Sequence, residues 1–312
     1  MPGLPPSAPA HAMFQETSGS HLRHYHRRRH LRRTVAVKEL REWTVMTRSA
    51  RRTRRTSQVT GVSAAVLLAL SACSSGGSAS SASASGEPSG EVTVFAAASL
   101  KESFEELGET FEKDHPGTKV TFSFGGSDAL AASITGGAPA DVFASASPRT
   151  MEIVTDAGDD TGAPATFVRN RLEIATLPGN PHGITSLRDL TGPDLKVVLC
   201  DRTVPCGAAA QQALDAGKLK LTPVSWEEDV KSALNKVVLK EADAAVVYRT
   251  DVEAAGGKVE GVEFPESADA VNDYPITLLK ESRNPNAAKA FIELVKSPEG
   301  QKVLREAGFL TP

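Results

Sequence analysis

The feature that most limits the fold is an alternation of two hydrophobic periods from Glu91 onward. "EVTVFAA" reads as a strand. The next segment places Leu100, Phe104, Leu107 and Phe111 at steps of four, three and four, the period of a helix with one buried face. "HPG" ends it. "KVTFSF" alternates as a strand, and "SDALAASITGG" reads as a short helix opening at Ser127. "ADVFASAS" is a further strand and "PRTMEIVTDAG" a further helix. Such alternation folds as α/β, a mostly parallel sheet covered by helices. "TFVRNRLEIATL" then reads as one long strand with no helix before it. "SLRDL", "LKVVLC", "CGAAAQQALDAG", "WEEDVKSALNKVVLKEA" and "DAAVVY" make a second α/β unit. "DYPITLLK" follows, and a closing segment sets Ala287, Ala290, Phe291, Leu294 and Val295 on one helical face. Two units with two extended crossings, near Arg171 and Val271, predict two lobes: 91–171 with 272–312, and 172–271. The ligand cleft is expected at the carboxyl ends of the strands.

Charge is unevenly spread. Residues 1–72 carry 13 Lys+Arg against 3 Glu, and 22 basic and 35 acidic residues remain for 73–312. An acidic body argues against nucleic acid, whose phosphates need a basic face. The basic leader ends in an export signal. From Met46 an arginine-rich stretch precedes a short apolar run, Val59 to Leu70, and then Leu70-Ser71-Ala72-Cys73. The run is too short to span a bilayer and has signal-peptide flanks. Its ending resembles a lipoprotein lipobox, which implies cleavage before Cys73 and lipid on that thiol; an ordinary secretory signal is the alternative. Residues 1–45 show no core periodicity, so they read as a disordered leader or as sequence upstream of a true start at Met46. Residues 73–90 are Ser/Gly/Ala-rich and read as a flexible tether.

Cys200 and Cys206 remain. An exported chain meets an oxidising environment, so a short-loop disulfide between them is expected, with two reduced thiols as the alternative. No histidine lies near enough to suggest zinc.

Four places share one layout: Ser99, Ser127, the Pro205-Cys206-Gly207 turn and Val230 each stand where a strand or loop meets a helix start. A helix start offers unpaired backbone N–H groups and partial positive charge. Several aimed at one cleft make an anion site without lysine or arginine. Each serine alone is more simply an N-cap. The small stretches Ala96-Ala97-Ala98 and Gly125-Gly126 clear space beside them.

"TVFAAASL", "GAPADVFASA", "PCGAAA", "EEDVKSAL" and "VVYRTD", in this order and spacing, closely resemble the periplasmic molybdate-binding proteins of ABC transporters. The resemblance covers nearly all of 91–312. It implies an α/β type II periplasmic binding protein with a tetrahedral oxyanion held by uncharged donors and no direct metal ligand. Ser99 and Ser127 would give hydroxyl and backbone N–H donors, Cys206 and Val230 backbone N–H groups, and Tyr248 its phenol. It further implies molybdate and tungstate as ligands, no cofactor, a monomer, and a membrane permease as partner, with lipid on Cys73 holding the protein at the outer face of the cytoplasmic membrane. The chain departs from the family at Gly125-Gly126, where a serine-rich stretch is usual, and at Cys206, where alanine is usual. A backbone donor survives the second change, and a Cys200–Cys206 bridge would pin it.

Molybdate at neutral pH offers only acceptors, whereas monohydrogen phosphate carries a proton that needs an acceptor. Leaving a buried group unpaired costs about 1–3 kcal/mol. Asp128 and Asp229, beside the shell in sequence, are expected to face away. Sulfate is the rival ligand. A serine hydrolase is the rival class, but its nucleophile needs a histidine base, and His115 and His182 sit in contexts that suit no triad. A surface scaffold is the third reading.

Overall fold

The structure is a computed structural model describing residues 88–312. The leader, the signal, Cys73 and nearly all of the tether lie outside the described residues.

The chain opens with β1 (Gly90–Ala97), a 3-10 turn (Ala98–Leu100) and α1 (Lys101–Asp114). β2 (Thr118–Gly125), α2 (Ser127–Thr135), β3 (Val142–Ala144), α3 (Pro148–Asp156) and β4 (Ala165–Asn170) follow. The second run holds β5 (Leu172–Thr176), β6 (Val197–Cys200), α4 (Pro205–Ala216), β7 (Ser225–Glu227), α5 (Val230–Val238), β8 (Ala244–Tyr248), α6 (Arg249–Ala254) and β9 (Glu260–Val262). β10 (Asn272–Leu278), α7 (Pro285–Lys296) and α8 (Pro298–Glu306) close the chain.

These strands form two five-stranded sheets, ordered β2-β1-β3-β10-β4 and β7-β6-β8-β5-β9. In each sheet four strands run the same way and one runs opposite, β10 in the first and β5 in the second. The reading of "TFVRNRLEIATL" as a single long strand needs correction. It is two strands broken at Arg171, β4 in the first sheet and β5 in the second. The two faces that need burial belong to different cores, so one straight strand cannot serve both. The chain returns through Val271 into β10.

Each sheet has its own core. In the first, Phe104, Phe111 and Phe291 are buried, with near-perpendicular contacts of Phe291 to Phe104 and Phe111 at 5.9 and 5.6 Å. Offset and edge-on packing suits the ring quadrupoles. The second core is built from smaller groups, with β8 fully buried from Ala244 to Tyr248 and faced by Ala209, Ala213, Ala233 and Val237. A strand covered on both faces reads as a continuous apolar run. The closing segment is two helices, and the face read from Ala287 to Val295 lies on the first. Pro298 cannot continue α7, and Ser297 caps α8 by accepting from Gly300 N at 3.1 Å.

Candidate functional site

The carboxyl ends of β1, β2, β6, β7 and β8 lead to one small cavity. It is lined by Ser99, Ser127, Cys206, Val230 and Tyr248, among others, and its volume is about 20 Å³. The five residues named from sequence are therefore brought together, although more than 140 positions separate Ser99 from Tyr248 along the chain. Among the described residues lining the cavity, none is lysine or arginine.

Neither serine is an N-cap. Ala97 precedes the 3-10 turn that carries Ser99, and Gly126 precedes α2, and neither start has a side-chain cap. α4 also starts without one, after Val204. By contrast, Ser147 caps α3 and Ser297 caps α8. The helix starts at the cavity thus keep their first N–H groups free of side-chain acceptors, where an anion is most favoured. α5 is the exception: Asp229 Oδ1 accepts from Ser232 N at 2.8 Å. Asp229 was expected to face away, yet it lines the cavity; its Oδ1 is engaged by that cap. Asp128 is absent from the lining, and its Oδ2 accepts from Thr203 Oγ1 at 3.5 Å.

The hydroxyls are oriented from behind. Ser127 Oγ accepts from Ala146 N at 3.0 Å. Ser99 Oγ lies 2.8 Å from the Tyr274 hydroxyl. Tyr248 is 1 % exposed, and its hydroxyl has no hydrogen-bond partner in the protein. Burial, then the neighbouring Tyr274 and Asp251, push its phenol well above its ordinary pKa. It is a donor at any physiological pH. An orphaned buried hydroxyl costs about 1–3 kcal/mol, which a ligand acceptor would relieve.

Cys200 and Cys206 are bonded as a disulfide, tying the end of β6 to the first turn of α4. Gly207 follows because nothing larger fits: a Cβ there would lie 1.9 Å from the Asp201 carbonyl oxygen.

Contacts that sequence reading did not find join the two halves around the cavity. Lys231 on α5 donates to Glu102 on α1 at 2.8 Å and stands 3.2 Å from Asp251 Oδ1, an ion pair without hydrogen-bond geometry. Burial works against the Lys231 charge, but Asp251 and Glu102 outweigh it and hold the ammonium above its ordinary pKa. Asp251 is fully buried, and burial raises its pKa to about 6 against the pull of Lys231. Arg149 on α3 donates to the Thr203 carbonyl oxygen across the same seam. The two histidines lie elsewhere: His115 packs on Phe111 at 4.6 Å, and His182 pairs with Asp243 at 3.2 Å. Among the described residues no cluster of three or more His, Cys, Asp or Glu is placed to hold a metal ion.

Two mixed sheets, crossed twice by the chain and closed over a cavity at their strand ends, define a periplasmic binding protein of type II architecture. Residues 92–310 match the bacterial extracellular solute-binding proteins, and the chain belongs to that family. The molybdate-binding protein ModA of Mycobacterium tuberculosis is 44% identical over 221 residues, 71% of this chain and 85% of the relative. Among solved structures, the periplasmic molybdate-binding protein of Azotobacter vinelandii superposes with a TM-score of 0.62 at 22% identity, covering 71% of this chain and 99% of that one. The sulfate-binding protein SubI of M. tuberculosis superposes at 0.60 and 19%, covering 70% and 86%. At those identities the two structures speak for the fold alone. The family is one of solute-binding proteins, not of enzymes, and its members work outside the cytoplasm.

Proposed function

We propose that this protein captures molybdate outside the cytoplasm and passes it to the permease of an ABC transporter. The observation that carries the reading is the Tyr248 hydroxyl, a buried donor without a protein partner in a cavity fenced by uncapped helix starts. The M. tuberculosis relative at 44% identity, named for molybdate, supports the same ligand.

The chemistry follows from the donors. Ser99, Ser127 and Tyr248 offer hydroxyl protons, and the starts of α2, α4 and α5 offer backbone N–H groups near Ser127, Cys206 and Val230. A dianion with acceptors only can take them all. The negative charge is met by partial charges at helix starts rather than by a cation. Monohydrogen phosphate brings a proton that needs an acceptor, which backbone N–H donors cannot supply; Asp229 lines the cavity with its Oδ1 already accepting from Ser232 N. Sulfate passes this charge test and is smaller, so its rejection rests on cavity size. Tungstate matches molybdate in charge and nearly in size, and binds as well.

Ligand binding draws the two sheets together through the crossings at Arg171 and Val271. The closed form then presents both halves to the permease. Lipid on Cys73 keeps the protein at the membrane. Calorimetric titration with molybdate, tungstate, sulfate and phosphate tests the assignment. Binding of the first pair only supports it, and binding of sulfate or phosphate instead overturns the ligand.

A further inference from the structure

Behind Ser99 runs a chain of buried hydrogen bonds that reaches the first crossing. Asn170, the last residue of β4, is 1 % exposed, and Tyr274 on β10 is fully buried. Asn170 Oδ1 accepts from Arg171 N at 3.0 Å. That contact fixes the amide orientation, since only the oxygen can accept. Asn170 Nδ2 therefore faces the other way, donating to Thr250 Oγ1 at 2.8 Å and to the Tyr274 hydroxyl at 3.4 Å. The Tyr274 oxygen already accepts once, and Ser99 Oγ lies 2.8 Å from it, where either hydroxyl can donate; the Tyr248 hydroxyl is its other neighbour. When Tyr274 donates to Ser99, Ser99 accepts from behind and its own proton is left for the cavity. Ser127 is held the same way by Ala146 N at 3.0 Å.

We infer that Tyr274 is a specificity-determining positioning residue: by donating to Ser99 it holds that hydroxyl as a donor toward the ligand and so excludes oxyanions that carry a proton. This rests on the proposed function and deepens it. A serine hydroxyl is by itself ambivalent, able to donate or accept. Without the Tyr274 proton it can turn and accept from monohydrogen phosphate. Discrimination by leaving a buried polar group unpaired is much stronger than discrimination by shape alone.

The test is titration calorimetry at mildly alkaline pH with molybdate, sulfate and phosphate. Tyr274→Phe removes one hydroxyl and keeps the ring. We expect the molybdate-to-phosphate affinity ratio to narrow by about tenfold while the molybdate-to-sulfate ratio stays as in wild type. Adding Ser99→Ala to Tyr274→Phe abolishes the gain for phosphate, because the turning hydroxyl is gone. Asn170→Asp is an isosteric second route: a carboxylate claims the Tyr274 proton, so Ser99 must donate backwards, and the phosphate ratio narrows again. An unchanged phosphate ratio in folded Tyr274→Phe and Asn170→Asp overturns the inference. So does an equal gain for sulfate, which signals a loosened cavity. Wild-type protein that binds sulfate and not molybdate defeats the functional reading alone, and the sulfate-to-phosphate ratio then tests the relay. Wild-type protein that binds none of the three defeats both.

Discussion

Gly126 and Glu228 face each other across the cleft, so close that a Cβ at position 126 would lie 2.7 Å from the Glu228 carbonyl oxygen. The same Cβ would meet Asp128 Oδ1, in its own half, at 2.8 Å and Val204 Cγ1 at 3.2 Å; the carboxylate is a side-chain end that can turn aside, whereas the Glu228 carbonyl is backbone of the facing half. The Gly126 backbone, at φ −61° and ψ 130°, suits alanine. Gly126→Ala therefore opposes closure of the halves rather than folding of either. We expect molybdate affinity to fall about 10- to 100-fold by overpacking, with the unfolding midpoint of the ligand-free protein little changed. Titration and thermal unfolding of the one variant separate the two effects. Wild-type affinity would contradict it.

Tyr248→Phe gives the opposite signature to a structural mutation. The hydroxyl has no partner in the protein, so its removal relieves a buried unpaired group. The ligand-free protein keeps or gains stability, and molybdate binding weakens by about tenfold or more, the usual effect of losing one hydrogen bond to a charged group. A loss of stability with unchanged binding would show that the phenol serves the fold.

Reduction of Cys200–Cys206 removes a short loop closure and the brace on α4. The chain-entropy relation gives about 2 kcal/mol of lost stability for a loop of this size. The Cys206 backbone N–H survives reduction, so binding persists with normal stoichiometry but weakens several-fold. The comparison is titration in oxidising and reducing buffer, with the bridge verified by mass. Equal affinity in both would contradict a role for the brace in binding.

Lys231 and Asp251 make stability depend on pH. Burial raises the Asp251 pKa from 3.8 to about 6 in the folded protein. Between these values the folded protein holds a proton that the unfolded chain has released. The contribution of Asp251 to stability therefore falls as pH rises through that window. Lys231, with its pKa raised above 10.5, contributes stability across the same window and loses it only in strong alkali. Lys231→Met leaves the carboxylate buried without a cation. We expect a loss of about 3 kcal/mol near neutral pH, shrinking in acid as Asp251 takes up a proton. Denaturant unfolding of the variant from mildly acidic to neutral pH measures this; a loss independent of pH would contradict it.

The α/β class, the two crossings and four of the cavity residues, Ser99, Ser127, Cys206 and Val230, were legible from local signals, whereas Tyr248 came only through the family resemblance. Hydrophobic period changes at each element boundary, and small residues mark the helix starts. Where reading fell short, the decisive contact is remote in sequence. "DYPITLLK" shows Tyr274 only as an aromatic in a strand, yet it meets Ser99 from 175 positions away. Lys231 looks like a solvated helix residue until the fold brings Glu102, 129 positions distant, to within 2.8 Å. The break at Arg171 was hidden for another reason: β4 and β5 carry the same strand pattern, and only their separate sheets distinguish them. Asp229 was misplaced because capping and lining are compatible roles for one residue, and sequence suggests a choice between them.

The most direct test of the account is a thermal-shift and calorimetric titration of the purified protein with molybdate, tungstate, sulfate and phosphate at matched ionic strength. A ligand at one hundred times its dissociation constant stabilises the folded state by about 2.7 kcal/mol. The account predicts that molybdate and tungstate raise the midpoint and that sulfate and phosphate do not. A shift with sulfate or phosphate alone, or no shift with any of the four, would contradict it.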